Sequence, residues 1–258
     1  MRKPIIISDL DGTLLTSTKC IPRASRRWID HWLAQGGQFV IATGRHYRNI
    51  VTLFDACPTP PHLISANGAM INNRLTRPLK DCQVHHLDEL DELAQHHRVH
   101  FSVFTNAGWH VTSRNAMVNA HDFEAIMTGH ADFLRLPAFK GLFYGCPAEL
   151  QALQHHLSRH FSHLQAVRSD PHWLEIQCQG INKFSALQTL LGQLGLTQHP
   201  TLAFGDGLND VELLAGCSQG VIMGNAMPEL RAALPTLPVT LSNDLEGVRV
   251  YLESMPPC

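Results

Sequence analysis

The sequence contains no apolar run near the ~20 residues that a membrane-spanning helix needs. Met1-Arg2-Lys3-Pro4 leads straight into an apolar stretch, without the pattern of a secretory leader. Neither sign of charge dominates, since 20 Lys and Arg stand against 22 Asp and Glu for a formal net charge of −2. Bulk electrostatics therefore favours neither nucleic acid nor an anionic membrane as a partner, and no obligatory protein partner is predicted. Cysteine is scattered: Cys20, Cys57, Cys82, Cys146, Cys178, Cys217 and Cys258 are odd in number and form no CxxC pair. That argues against a disulfide framework or a thiolate zinc site and makes a reducing cytoplasm the natural location. Repeats and low-complexity linkers are missing as well.

What remains is a globular composition, 44% hydrophobic and 16% charged over 258 residues, longer than one typical domain and shorter than two. The first third alternates strand and helix. Ile5–Ser8 reads as a strand, 22–35 as a helix with Trp28, Ile29, Trp32 and Leu33 on one stripe, and 38–42 as a buried strand. A second helix should run from Arg45 through Ile50, Leu53 and Phe54 to Pro58, followed by a strand over 62–65. This order predicts an α/β fold with a doubly wound, mostly parallel Rossmann-like sheet. The last third resumes it, with helices over 184–194, 211–215, 228–233 and 245–252, strands over 201–204 and 220–223, and an extended 239–241. The middle breaks the pattern with mixed strands (100–105, 109–112, 140–144, 173–177) and helices over 88–97 and 147–160. It reads as an α+β domain of residues 81–182 inserted into a core of 1–80 and 183–258.

Seventeen histidines are many for this length, and thirteen lie between His85 and His172. Pairs such as His96-His97 and His155-His156 are adjacent in sequence, and adjacent side chains on a helix diverge. A solvated, functionally neutral role is the expectation for them.

The run Ile5-Ile6-Ile7-Ser8-Asp9-Leu10-Asp11-Gly12-Thr13 ends an apolar strand in two carboxylates spaced two apart. Alternation along a strand points both the same way. Like charges that close call for a bound cation or a shared proton. An Asp-rich turn accounts for these residues alone, but the other core strands end in matching groups. Thr43-Gly44-Arg45 follows the second, Asn67-Gly68 the third, and Gly205-Asp206-Gly207-Leu208-Asn209-Asp210 the late strand, with Lys183 opening the helix before it. Ligands of open α/β sheets bind outside these strand ends. Asp9, Asp206 and Asp210 offer hard oxygens suited to Mg2+, while a hydroxyl, a lysine and backbone amides suit phosphoryl oxygens. A carboxylate nucleophile can form an aspartyl-phosphate, and a second carboxylate can serve as acid and base.

With Asp9-Leu10-Asp11-Gly12-Thr13-Leu14, Ala42-Thr43-Gly44-Arg45, Lys183 and Gly205–Asp210 in that order, the chain resembles the Cof-type phosphatases of the haloacid dehalogenase (HAD) superfamily, whose large α+β cap (class IIB) sits at this point of the sequence. Asn67-Gly68-Ala69 and Gly224-Asn225-Ala226 extend the resemblance. It implies Mg2+ as cofactor and a small phosphorylated metabolite, such as a sugar phosphate or pyridoxal phosphate, as substrate. Asp9 is then the nucleophile and Asp11 the acid–base. Asp9, Asp206 and the Asp11 carbonyl hold the metal, and Asp210 orients its water shell. The Leu10 and Gly44 amides, Thr43, Lys183 and Asn209 bind the phosphoryl oxygens. Arg45 stays outside the assigned site, Asn67 is equally explained by a tight Asn-Gly turn, and Trp173, Glu175 and His46 are weaker candidates for substrate contact. The competing readings are a phosphomutase or phosphotransferase, and a non-catalytic phospho-acceptor or metabolite sensor.

Overall fold

The computed structural model describes residues 2–54, 57, 59–72, 76–78, 83–120 and 124–255. Its first elements are β1 (Ile5–Ser8), α1 (Arg23–Ala34), β2 (Gln38–Ala42), α2 (Arg48–Val51), β3 (His62–Ser65), β4 (Met70–Asn72) and β5 (Thr76–Pro78). There follow α3 (Leu87–His96), β6 (His100–Thr105), β7 (Gly108–Val111), α4 (Ala116–Ala120), β8 (Ala125–Met127), α5 (His130–Phe133), β9 (Lys140–Tyr144), α6 (Pro147–His160), β10 (Leu164–Asp170) and β11 (Trp173–Cys178). The chain closes with α7 (Lys183–Leu194), β12 (Thr201–Gly205), α8 (Val211–Gly216), β13 (Gln219–Ile222), α9 (Pro228–Ala233) and α10 (Gly247–Ser254). Two compact units result, Met1–Arg77 with Asn182–Cys258, and Pro78–Ile181. The outgoing boundary expected between 80 and 81 lies outside the described residues, as does Pro58, the expected end of the second helix.

β1 organises the first unit. Its three isoleucines favour extended backbone because they branch at Cβ. All four of its residues are buried, as a strand covered on both faces requires. Among the described residues the strand order is β13-β12-β1-β2-β3-β4-β5. β13 through β3 run parallel, and β4 returns antiparallel to β3. The chain builds outward from β1 to β3 on one side and resumes with β12 on the other. Strand order therefore reverses between β1 and β12, where an open α/β sheet leaves a crevice at its carboxyl edge.

Three local readings change. The second helix is only α2 followed by a 3₁₀ turn over Thr52–Phe54. The closing helix is split, because Glu246 takes a left-handed φ of 53° between a 3₁₀ turn at Asn243–Leu245 and α10. Of the extended 239–241, Val239 makes an isolated bridge to Ile222.

The second unit carries a sheet of order β10-β11-β9-β6-β7-β8 among the described residues. Its pairs are antiparallel except β7 with β8. α3 and α6 pack on this sheet through Leu87, Leu90, Ala94, Leu150, Leu153 and Leu157, which share one buried cluster with Phe101, Val103, Phe143, Leu174 and Ile176. β10, absent from the sequence reading, carries Gln165, Arg168 and Ser169 and shows no apolar alternation to announce it. None of the helices among the described residues is long and apolar enough to cross a membrane.

α7 begins in a reciprocal cap. Asn182 Oδ1 accepts the Ser185 N–H (2.8 Å) while Ser185 Oγ accepts the Asn182 N–H (3.0 Å). The cap fixes the first turn, whose first residue is Lys183. Asn182→Ala is expected to destabilise the fold by about 1 kcal/mol, measured by urea unfolding, and Asn182→Ser to recover most of that loss.

Candidate active site

After β1 the chain makes one wide turn over Leu10–Leu14, closed by the Leu15 N–H on the Leu10 carbonyl (2.8 Å). Gly12 sits in it at φ 72°, and a Cβ there would collide with the Asp206 carboxylate. Only glycine meets both demands, so Gly12 lets the turn after β1 close against the turn after β12. Thr13 then donates its hydroxyl to Asp206 Oδ1 (2.8 Å), and Asn225 donates its amide to the Gly12 carbonyl (2.7 Å).

Lys183 is completely buried and bridges two carboxylates, at 2.8 Å to Asp9 Oδ1 and 2.6 Å to Asp210 Oδ1. The other oxygen of Asp210 accepts the backbone N–H groups of Asp206 and Gly207, both at 3.0 Å. Asp210 thus anchors the β12 turn and the lysine together. Carboxylate oxygens of Asp9, Asp206 and Asp210 lie within 4.8 Å of one another. Three formal negative charges therefore face one ammonium in a buried space.

The electrostatics follow from that count. Burial pushes the Asp9 carboxyl well above the ordinary carboxylate range; Lys183 works against the rise, and Asp210 and Asp206 add to it. Burial, then the charge of Asp210, lifts Asp206 to about 7. For Lys183 burial opposes the charged form, but Asp210 and Asp9 outweigh it and hold the amine above the ordinary lysine range. Hard oxygen donors, close spacing and a charge deficit fit a small divalent cation.

Asp11 has a different environment, although it is two residues from Asp9. Arg45 grips it through two hydrogen bonds of 2.6 Å, Nε to Oδ2 and a terminal nitrogen to Oδ1, and Lys19 adds a third at 2.8 Å. Burial favours the neutral acid here too, but Arg45 and then Lys19 overcome it and hold the carboxyl at about 2. Its side chain thus stands apart from the three-carboxylate group. Arg45, outside the site in the sequence reading, is its direct partner. The pairing of Arg45 and Lys19 with Asp11 joins residues on different loops and leaves no trace in local sequence.

The remaining sequence candidates are placed as follows. Thr43 is buried and its hydroxyl accepts the Arg45 N–H (3.2 Å). Gly44 is half-buried and Leu10 buried in the wide turn. Asn209 donates to Asn67 Oδ1 (3.1 Å), so the turns after β3 and β12 are joined directly. Asn67 adopts a left-handed φ of 52°, as the Asn-Gly reading anticipates. In the second unit Glu175 pairs with buried Lys140 (3.0 Å), and Trp173 packs against Tyr144 with ring centroids 4.6 Å apart. His46 is buried, with its Nδ1 accepting the Arg48 N–H (3.4 Å).

The family model of haloacid dehalogenase-like hydrolases matches residues 6–252. An HMP-PP phosphatase of Serratia proteamaculans (strain 568) is 32% identical over 253 residues, covering 95% of this chain and 92% of that protein. An HMP-PP phosphatase of Cronobacter sakazakii (strain ATCC BAA-894) is 30% identical with the same coverage, 95% and 92%. A haloacid dehalogenase-like hydrolase from Bacteroides thetaiotaomicron has a solved structure that superposes with a TM-score of 0.80 at 28% identity, covering 98% of this chain and 99% of that one. With its motifs at the carboxyl edge of the sheet and matches over nearly its whole length, the chain belongs to the haloacid dehalogenase-like hydrolases, in their Cof-type branch.

Proposed function

We propose that the chain is a Mg2+-dependent phosphatase that hydrolyses small phosphomonoesters through an aspartyl-phosphate on Asp9. The observation that carries this reading is the close group of three carboxylates, Asp9 and Asp210 buried and Asp206 half-buried, with Lys183 on two of them and the group two formal charges short of balance. Asp9, Asp206 and the Asp11 carbonyl would hold Mg2+, which when bound neutralises charge on the carboxylates and on the phosphoryl oxygens. Asp210, occupied by Lys183 and two backbone amides, orients rather than reacts.

A carboxylate oxygen of Asp9 attacks phosphorus and the bond to the leaving oxygen breaks. Asp11 gives that oxygen its proton. Water then attacks phosphorus, Asp11 takes a proton from it, and the bond to Asp9 breaks to release inorganic phosphate. Lys183, Thr43, Asn209 and the amides of Leu10 and Gly44 steady the phosphoryl oxygens during both steps. Acid duty requires Asp11 to part from Arg45 and Lys19, which hold it ionised in the present conformation.

The core, 1–80 with 183–258, supplies groups common to every phosphomonoester, so discrimination falls to the inserted residues 81–182. Trp173 is the better probe of it. A change at Glu175 removes the carboxylate facing the buried Lys140 ammonium and disturbs folding as well. The relatives are named for HMP-PP, so that compound heads a phosphate-release screen of phosphorylated metabolites with Mg2+. Release of inorganic phosphate separates hydrolysis from transfer to a second hydroxyl, and no release from any compound would overturn the proposal.

Asp9→Asn should leave a folded protein with turnover near background, because the amide keeps the shape but loses the nucleophile. Circular dichroism and phosphate release check this together, and retention of more than a few per cent of the rate would remove Asp9 from its role. In chelator the protein should lose thermal stability as pH rises from about 4 to about 7 and level off above it, because the folded state holds the Asp206 proton over that interval while the unfolded chain has released it. Mg2+ at a hundred times its Kd should restore about 2.7 kcal/mol, read as a rise in Tm at pH 8. Asp206→Asn should flatten the pH dependence and remove most of the Mg2+ response.

A further inference from the structure

Two cations from different loops converge on one partly exposed carboxylate. Arg45 follows β2 and holds Asp11 with Nε on Oδ2 and a terminal nitrogen on Oδ1, both at 2.6 Å. Lys19 lies in the loop between the wide turn and α1, and its ammonium reaches the same Oδ1 at 2.8 Å. The side chain of Asp11 is 38% exposed and that of Lys19 51%, so solvent reaches this group, whereas Lys183 is completely buried. Hydrogen bonds fix the loop that carries Lys19. The Thr16 N–H donates to the Cys20 carbonyl (3.0 Å), the Lys19 N–H to the Thr16 carbonyl (2.9 Å), and the Ser17 N–H to Asp244 Oδ1 (2.8 Å). Lys19 itself takes a left-handed φ of 60°, a conformation that residues with a Cβ adopt only where their surroundings enforce it.

Exposed ion pairs add little to stability, so stability does not explain a strained lysine set on a carboxylate that Arg45 already holds. Two positive charges on one negative leave the trio with a net charge of one. The proposed reaction gives that excess a use. As the acid, Asp11 must come within about 2.6–3.2 Å of the leaving oxygen. The atom that carries this oxygen is one bond further on, and its substituents fall beside the Asp11 carboxyl, where Arg45 and Lys19 have their donors. An oxyanion in that place takes the donors that Asp11 gives up. Three donors crowd the two oxygens of a carboxylate, since Oδ1 of Asp11 accepts two of them. A phosphate offers more acceptors, and a planar guanidinium grips it with two parallel donors.

We propose that Arg45 and Lys19 form a subsite for a leaving group that is itself a phosphate, so that the preferred substrates are diphosphates cleaved at the terminal phosphoryl group. This rests on the proposed reaction, in which Asp11 serves the leaving oxygen. The Asp9 oxygen bonds to the terminal phosphorus and the bond from that phosphorus to the bridging oxygen breaks. The electron pair leaves with the bridging oxygen, which takes the Asp11 proton, and Arg45 and Lys19 meet the charge of the departing phosphate. Water then frees the second phosphate from Asp9. Without substrate, the Asp11 carboxylate fills the subsite as a mimic of that anion. The first unit thus selects for charge beside the leaving oxygen, in addition to any selection by the inserted residues.

The test compares methylenediphosphonate with methylphosphonate, neither of which has a bridging oxygen to break, by calorimetry on the full chain in excess Mg2+. The diphosphonate should bind roughly tenfold more tightly or better, as charge-assisted hydrogen bonds to a second phosphonate imply. Lys19→Ala/Arg45→Gln should remove most of that preference, and circular dichroism checks its folding. Asp11→Asn should tighten the diphosphonate, and methylphosphonate less, because the competing carboxylate is gone; an ion pair that merely holds the loops together predicts no such gain. Phosphonoacetate, whose second anion is a carboxylate, should bind less tightly than the diphosphonate. These ratios need no turnover, so they decide the subsite separately from the phosphate-release screen that decides the reaction. The proposal is overturned if the two phosphonates bind alike, if their ratio survives the double substitution, or if Asp11→Asn fails to tighten the diphosphonate. Tighter binding of phosphonoacetate would equally overturn the assignment to diphosphates.

Discussion

The ammonium of Lys183, fully buried between Asp9 and Asp210, is the interaction on which the rest of the site depends. A lysine at that depth is tolerable only because carboxylates answer it, and removing the ammonium would leave Asp9 and Asp210 buried without a counter-charge. The converse also holds. Asp9, Asp206 and Asp210 cannot all be ionised so close together on the strength of one ammonium, and the raised Asp9 and Asp206 show the strain. The protein fixes this imbalance in place: Gly12 admits Asp206, Thr13 holds it, and Asp210 ties the lysine to the β12 turn. A group of carboxylates two charges short, held by the turns after β1 and β12, has the charge and the hard oxygen donors that suit a small divalent cation.

The two aspartates of the first motif show how environment rather than residue type assigns chemical roles. Asp9 is nearly solvent-free, and Asp11 is partly exposed and held by two cations. Burial drives the first upward, whereas Arg45 and Lys19 drive the second down to about 2. Carboxyls whose environments push them apart are the usual mark of divided labour. In the cycle we propose, the division requires Asp11 to exchange Arg45 and Lys19 for other partners. The guanidinium of Arg45 meets Asp11 with two donors in one plane, a grip that a lysine could not reproduce.

The parts of the site legible in the sequence were those that strand ends dictate. Asp9, Thr43, Asn67 and Asp206 each follow a parallel strand, and parallel strands put their carboxyl ends on one edge. α6 was also plain, because a proline at its start and a regular apolar stripe mark both its limits and its buried face. Illegible were contacts between loops distant in sequence, such as Arg45 with Asp11, and elements whose pairing overrides composition, such as β10. Its neighbour β11 supplies the partner that a polar strand needs, and no periodicity signals that. The break at Glu246 was equally hidden, since nothing about a glutamate announces a left-handed backbone.

The turn after β3 shows why a motif can be visible while its purpose is not. Asn67-Gly68 reads as a tight turn, and the left-handed φ of Asn67 agrees. Gly68, however, sits at φ 101° with its Cα against the Asn182 carbonyl, where a side chain would collide. Asn182 is the cap of α7 and immediately precedes Lys183. Asn67 meanwhile receives the amide of Asn209 from the β12 turn. One dipeptide therefore touches both the start of the lysine's helix and the turn that carries Asp206 and Asp210. The insertion also ends here, since the chain re-enters the first unit at Asn182. Residues that look like punctuation in the sequence thus set the register between the returning chain and the charges of the site.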